Sequence, residues 1–305
     1  MISPEVMGAV VVTGASSGIG QATALRLARR GYQVYAGFRR PEAGRQLTGR
    51  SPNLVPVHVD VTEQDTVDAL RERLTHELGV VPLRGLVNNA GTTTAAPIEH
   101  VRLDDLRRVL EVNVVGQVAM TQALLPLLRR DHGRVINISS MGGRIAGPIM
   151  GPYAASKFAL EAVTDALRRE VLNQGIEVVA VEPGAVATPI WSKVDATLDV
   201  ASMAPEARLR YGDLIVGMQQ AVFKASASHG VPPEEIAEVI EDALTRRRPR
   251  IRYLVGPSAH TRVFAARLLP SRVFDRILTG VVRRVGARTA AARSGAQDTT
   301  DTKEA

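Results

Sequence analysis

The 305-residue chain contains no cysteine, which excludes disulfides and thiolate chemistry alike. It has no apolar run near the roughly 20 residues that a membrane-spanning helix needs. The opening stretch, MISPEVMGAVVVTG, carries neither a basic segment nor a small-residue cleavage pattern and runs straight into a strand. A cytoplasmic location, or one at a membrane surface, is therefore expected. The histidines (His58, His76, His100, His132, His229 and His260) show no ligand spacing and H-E-x-x-H is missing, so no metal site is expected. Acid is scarce in one place only. Residues 246–293 hold Asp275 as their single acid among 13 arginines, whereas residues 1–245 carry a net charge of −3. The basicity of the chain, +7 overall, thus belongs to a C-terminal segment, which argues against a nucleic-acid-binding body.

What is present is an alternation. Apolar, largely β-branched runs at 9–14, 32–38, 54–60, 85–89, 134–140 and 176–183 read as strands covered on both faces. Helical patterns near 18–30, 64–77, 104–130 and 153–173 lie between them, and a helix at 232–244 precedes a last strand at 251–256. Strand and helix in turn imply right-handed crossovers and an α/β fold: a doubly wound parallel sheet of about seven strands, Rossmann-like, with helices on both faces. Residues 1–256 form the expected α/β domain, with a long excursion at 187–231. Residues 257–285 form a basic amphipathic extension, and the small, polar residues 286–305 a disordered tail.

Two stretches carry chemistry. TGASSGIG (13–20) places Gly14, Gly18 and Gly20 between the first strand and a helix. Glycine permits positive φ and close approach of a phosphate, and the new helix offers unpaired N–H groups. After the first strand of such a sheet, this turn points to a dinucleotide. GPYAASKFALEAV (151–163) sets Tyr153 and Lys157 one helical turn apart on an otherwise small and apolar segment. A phenol has a pKa near 10 and is a poor base at neutral pH, but a cation at close range favours the phenolate. Tyr153 could then give a proton to a carbonyl oxygen or take one from an alcohol. The plain alternative is packing with a snorkelling lysine.

The spacing of the glycine turn resembles that of the short-chain dehydrogenase/reductase family. Further matches follow in the family's order: DV at 60–61, NNAG at 88–91, Asn113 in EVNVVG, Ser140 in NISS, the Tyr153/Lys157 pair and PGAVATP at 183–189. The resemblance covers residues 8 to about 256 and is nearest to the hydroxysteroid and retinol dehydrogenase branch. It implies a catalytic set of Asn113, Ser140, Tyr153 and Lys157. In that set Ser140 orients the substrate oxygen, Lys157 also binds the nicotinamide ribose, and Asn113 holds a water linked to the lysine. It implies a cofactor site formed by Gly14, Ser16, Ser17, Gly18, Ile19 and Gly20, by Asp60 and Val61 at the adenine, by Asn88, Ala90 and Gly91 behind the ribose, and by Pro183, Gly184, Val186 and Thr188. Asn89 can instead brace the strands. NAD enzymes place an acid at the end of the second strand, where this chain has Phe38 followed by Arg39 and Arg40. A guanidinium suits a 2′-phosphate, so NADP(H) is expected over NAD(H), the alternative being plain surface charge.

The substrate side is read from 141–151 and 190–223. Met141, Ile149, Met150, Ile190, Trp191, Met203, Tyr211, Leu214, Ile215, Met218 and Phe223 are available to line a pocket, with Ser140, Met141, Met150, Tyr153 and Trp191 as substrate contacts. An apolar lining suits a bulky apolar alcohol, ketone or aldehyde. The helices at 104–130 and 153–173 are apolar on more than one face, and the family's habit implies a homodimer or homotetramer. In the extension, Val273, Phe274, Ile277, Leu278, Val281, Val282 and Val285 recur at helical spacing between arginines, after a break at Pro270-Ser271 and a shorter piece at 262–269. Such a stripe either lies in a membrane interface, through 258–285, or lids the pocket. A non-catalytic dinucleotide sensor is the competing class of function.

Overall fold

Alternate residues of the first strand enter different cores. Val10 and Val12 face one, Ala9 and Val11 the other, and all are wholly buried, as the two-residue period of a strand covered on both sides requires. The computed structural model describes residues 7–187, 200, 203–280 and 282, with the backbone alone over 221–229. Its strands are β1 (Ala9–Val12), β2 (Gln33–Phe38), β3 (Leu54–His58), β4 (Leu83–Asn88), β5 (Arg134–Ile138), β6 (Glu177–Pro183) and β7 (Arg252–Val255). They form one 7-stranded parallel sheet in the order β3-β2-β1-β4-β5-β6-β7. The order reverses beside β1, between β1 and β4. The doubly wound Rossmann-like sheet expected from the sequence is therefore present.

The helices are α1 (Gly18–Arg29), α2 (Pro41–Leu47), α3 (Gln64–Leu78), α4 (Leu103–Leu110), α5 (Gly116–Asp131), α6 (Gly151–Glu170), α7 (Pro205–His229), α8 (Pro233–Thr245), α9 (Ala259–Leu268) and α10 (271–280). Leu27 of α1 and Ile236, Ile240 and Leu244 of α8 cover one face of the sheet. Leu70 and Leu74 of α3 and Met120, Leu124 and Leu128 of α5 cover the other. Two helices were not expected. Proline at its start and a wholly buried Leu47 make α2. The excursion at 187–231 contains α7, begun by Pro205, where a structureless run of such length would be unusual.

The expected helix at 104–130 is interrupted. Glu111–Val115 make a π-helical turn between α4 and α5. The extra residue of a π turn re-aims the side chains around it and is frequent at functional sites; here it carries Asn113 into the interior. Beyond it, Gly116 packs against Val61, whose Cγ2 would lie 2.6 Å from any Cβ at that position.

Candidate active site

The glycine turn is fixed by contacts that leave no room for side chains. Gly14 and Gly18 have φ of +63° and +55°, in the left-handed region. A Cβ on Gly20 would lie 2.3 Å from the Gly14 carbonyl oxygen and 2.4 Å from Asn89 Nδ2. Asn89 is the brace: its Nδ2 donates to the carbonyls of Thr13 (2.9 Å) and Gly14 (3.1 Å). Thr13 Oγ1 in turn accepts the N–H groups of Asn89 (3.0 Å) and Ala90 (2.9 Å). The ends of β1 and β4 are so tied into one ledge, with Ala90 and Gly91 beside the turn. Ser17, the N-cap of α1, makes no side-chain capping bond, and the first turn holds no acid. A helix start without a cap or a carboxylate fits a phosphate.

Asn88 does not join this ledge. Its side chain is buried and donates to Thr121 Oγ1 and Asn137 Oδ1, both at 2.9 Å, bracing β4 against α5 and β5. At the end of β2, Phe38 packs on Gly44, where a Cβ would meet the ring at 2.5 Å. Arg39 follows, half exposed, with Nε 3.9 Å from Asp60 Oδ2. Asp60 also accepts from the N–H and hydroxyl of Thr62. Guanidinium, Asp60 and the buried Val61 thus line the C-terminal edge beyond β2 and β3. Pro183, Gly184 and Val186 lie at the end of β6, where the Gly184 N–H donates to the Val255 carbonyl. Thr188 lies outside the described residues.

Ser140, Tyr153 and Lys157 come together at the same edge. Ser140 leaves β5 and caps the short turn Met141–Gly143, its Oγ accepting from the Gly142 N–H at 3.0 Å. Burial pushes the Tyr153 phenol above its ordinary value, and the Ser140 hydroxyl pulls it back down. The Lys157 ammonium donates to the Ile138 carbonyl at 2.8 Å and stands 5.9 Å from the centre of the phenol ring. Burial in turn pulls Lys157 down to about 8, opposed by the Glu161 carboxylate.

Asn113 is wholly buried and bonded on both ends of its amide. Oδ1 accepts the Thr92 N–H at 2.8 Å, and Nδ2 donates at 2.9 Å to the Thr92 carbonyl and to Ser156 Oγ. Ser156 donates at 2.7 Å to the Tyr153 carbonyl. The amide therefore holds the first turn of α6. Sequence reasoning missed Ser156, a small polar residue between Tyr153 and Lys157 that could have been marked by its place in an apolar helix.

Next to Tyr153 lies a separate apolar cluster of Ala95, Ile149, Met150, Ile215, Met218 and Val282, with Met203, Tyr211 and Leu214 packed against it. It brings together most of the expected lining and adds Ala95. Met141 is half-buried and lies outside it; Ile190 and Trp191 are outside the described residues, as is the side chain of Phe223. Ile149 has φ +55°, a strained conformation for a β-branched residue, and its carbonyl accepts the Ala96 N–H.

A parallel sheet with an uncapped helix behind a glycine turn, and a serine, tyrosine and lysine at one edge, defines a class of dinucleotide-dependent oxidoreductases. Comparison with known proteins narrows it. A family model described as short chain dehydrogenase matches residues 8–199. The chain is 37% identical over 273 residues to an NADPH-dependent 3-dehydrocapnine reductase of Ornithobacterium rhinotracheale, covering 88% of this chain and 94% of that protein. It is 37% identical over 283 residues to retinol dehydrogenase 5 of Mus musculus, covering 90% and 89%. The crystal structure of a short-chain dehydrogenase from Streptomyces avermitilis matches it with a TM-score of 0.72 at 28% identity, over 98% of this chain and 100% of that one. The chain belongs to the short-chain dehydrogenase/reductase family and is an alcohol-acting oxidoreductase.

Proposed function

We propose that the protein interconverts an alcohol and a ketone or aldehyde on a bulky apolar, steroid-, retinoid- or lipid-like substrate, using NADP(H) in preference to NAD(H). The observation that carries this reading is the placement of the Ser140, Tyr153 and Lys157 side chains at one sheet edge, directly beside the apolar cluster around Ile149, Ile215 and Met218. The relatives that bear the names retinol dehydrogenase and NADPH-dependent reductase support it.

The residues fit a dinucleotide. The turn from Gly14 through Ser16, Ser17, Gly18, Ile19 and Gly20 would hold the diphosphate, since the start of α1 carries no competing carboxylate. Arg39 would hold the 2′-phosphate, Asp60 and Val61 the adenine, and Ala90 and Gly91 the ribose. Lys157, Pro183, Gly184 and Val186 would hold the nicotinamide half. When bound, the nicotinamide supplies or accepts the hydride. Tyr153 gives the proton to the substrate oxygen or takes it back, and Ser140 hydrogen-bonds that same oxygen to orient it. A charged Lys157 favours the phenolate against the burial that raises it. Asn113, through Ser156, keeps the first turn of α6 in register.

Two contacts complete the reading. A second copy of the chain covers the exposed apolar residues Val115 and Phe158. A membrane surface meets α9 and α10, where Phe264, Leu268, Val273 and Ile277 are exposed among arginines, while Val282 anchors the end of the extension in the substrate-side cluster.

Tyr153→Phe tests the chemistry. It should leave cofactor binding nearly unchanged and lower kcat by about two orders of magnitude or more. Turnover near that of the native enzyme, followed at the reduced-nicotinamide absorbance with an apolar ketone, would remove Tyr153 from the reaction.

A further inference from the structure

Glu182 on β6 is 2% exposed, and Glu161, one turn beyond Lys157 on α6, is 6% exposed. Carboxylates so buried need cations. Arg252 of β7 places its Nε 3.1 Å from both Glu161 Oε2 and Glu182 Oε1. Arg144, from the segment after β5, places NH1 3.6 Å from Glu182 Oε1 and 4.0 Å from Glu161 Oε2. Asp165, a further turn along α6, takes the other side of Arg252 at 2.7 Å and Arg168 at 3.2 Å. Even so, Oε1 of Glu161 and Oε1 of Glu182 accept no hydrogen bond.

Burial, and then the neighbouring Glu161 carboxylate, push Glu182 up to about 7 against the pull of Arg144 and Arg252. The pair lies between two clefts. Glu182 lines a cleft of about 510 Å³ with Glu235, Arg250 and His260, and Glu161 lines one of about 280 Å³ with Asp165. Arg144 and Arg252 border both.

Lys157 needs such a neighbour. Its role in the proposed chemistry requires an ammonium, yet it is buried and donates to a neutral carbonyl. Glu161 lies four residues on, along the same helical face. Gly143 packs closely on this turn of α6: a Cβ there would be 3.0 Å from Glu161 Cγ and from the Lys157 backbone carbonyl oxygen.

We propose that Glu161, held in place by Arg144, Arg252 and Glu182, is a positioning residue whose carboxylate keeps Lys157 protonated at neutral pH. This rests on the reading of Lys157 given above and deepens it. The test reads Lys157 itself, in the protein without cofactor, by NMR of lysine ε-carbons during a pH titration. The other lysines are Lys193, Lys224 and Lys303, so the Lys157 signal is assigned by its loss in Lys157→Met. Glu161→Gln keeps the shape and removes the charge. It should lower the Lys157 midpoint by about one pH unit, the scale of one close opposite charge. The high-pH decline of alcohol oxidation should move the same way. Glu161→Asp, with the carboxylate withdrawn by one methylene, should move the midpoint less, and it serves where the glutamine variant does not fold. A Lys157 midpoint unchanged in a folded variant overturns the proposal, whatever happens to the rate. A shifted midpoint upholds it, and if Lys157→Met then turns over normally, it is the catalytic reading of Lys157 that fails.

Discussion

Arg39 directly follows Phe38, which stands where an NAD-binding acid would stand. Its side chain is 51% exposed and only loosely tied to Asp60, at 3.9 Å, so it is available to a ligand without breaking a strong contact. Arg39→Asp should move the ratio of kcat/KM for NADP(H) over NAD(H) by roughly tenfold or more. That is the scale of one hydrogen bond to a charged group, made in one case and replaced by repulsion in the other. A native enzyme that already prefers NAD(H) would contradict this assignment. Other residue-scale features were only half legible. Asn89 as a brace followed from the doublet in NNAG. The burial of Asn88 did not, because which of two adjacent asparagines faces α5 depends on the pleat of β4.

At the scale of elements, the junction of β1 and α1 is set by how closely two backbones approach. Gly20→Ala would drive a Cβ onto the Gly14 carbonyl and the Asn89 amide. It should cost about 1–3 kcal/mol in denaturant unfolding, as overpacking does, and weaken cofactor binding with it. Gly280→Ala in α10, where no atom lies within 4 Å, serves as the control and should be neutral or slightly stabilising. The helix at 104–130 illustrates the limit of pattern reading. Its apolar period continues through the π turn because one inserted residue barely disturbs a 3.6-residue repeat over so short a span. The need for that turn arises from Thr92 and Ser156, 21 and 43 residues away in sequence.

For the whole molecule, charge and apolar surface are divided. Among the described residues no helix is long and apolar enough to cross a membrane. The basic extension nevertheless exposes Phe264 (66%) and Leu268 (62%) one turn apart on α9. The intact protein should co-sediment with phosphatidylserine-containing vesicles, less so as salt rises. Replacing both residues, Phe264→Ser and Leu268→Ser, should abolish co-sedimentation while leaving kcat on a water-soluble ketone unchanged. No binding by the native chain would assign the extension to covering the pocket alone, through Val282, and binding that survives the double change would remove α9 from the membrane contact.

The sequence by itself determined the sheet, the glycine turn and the membership of Ser140, Tyr153 and Lys157 in one site. These depend on local periodicity and on motif order, both written in short stretches. Only the tertiary structure decided how the site is held. The amide of Asn113 goes to Thr92 and Ser156, Lys157 turns to the Ile138 carbonyl, and Arg144 and Arg252 converge on Glu161 and Glu182 from segments far apart in the chain. The physical reason is burial. A polar group removed from water must find its partner in whatever the packed neighbours provide, and those neighbours exist only once the sheet has closed over them.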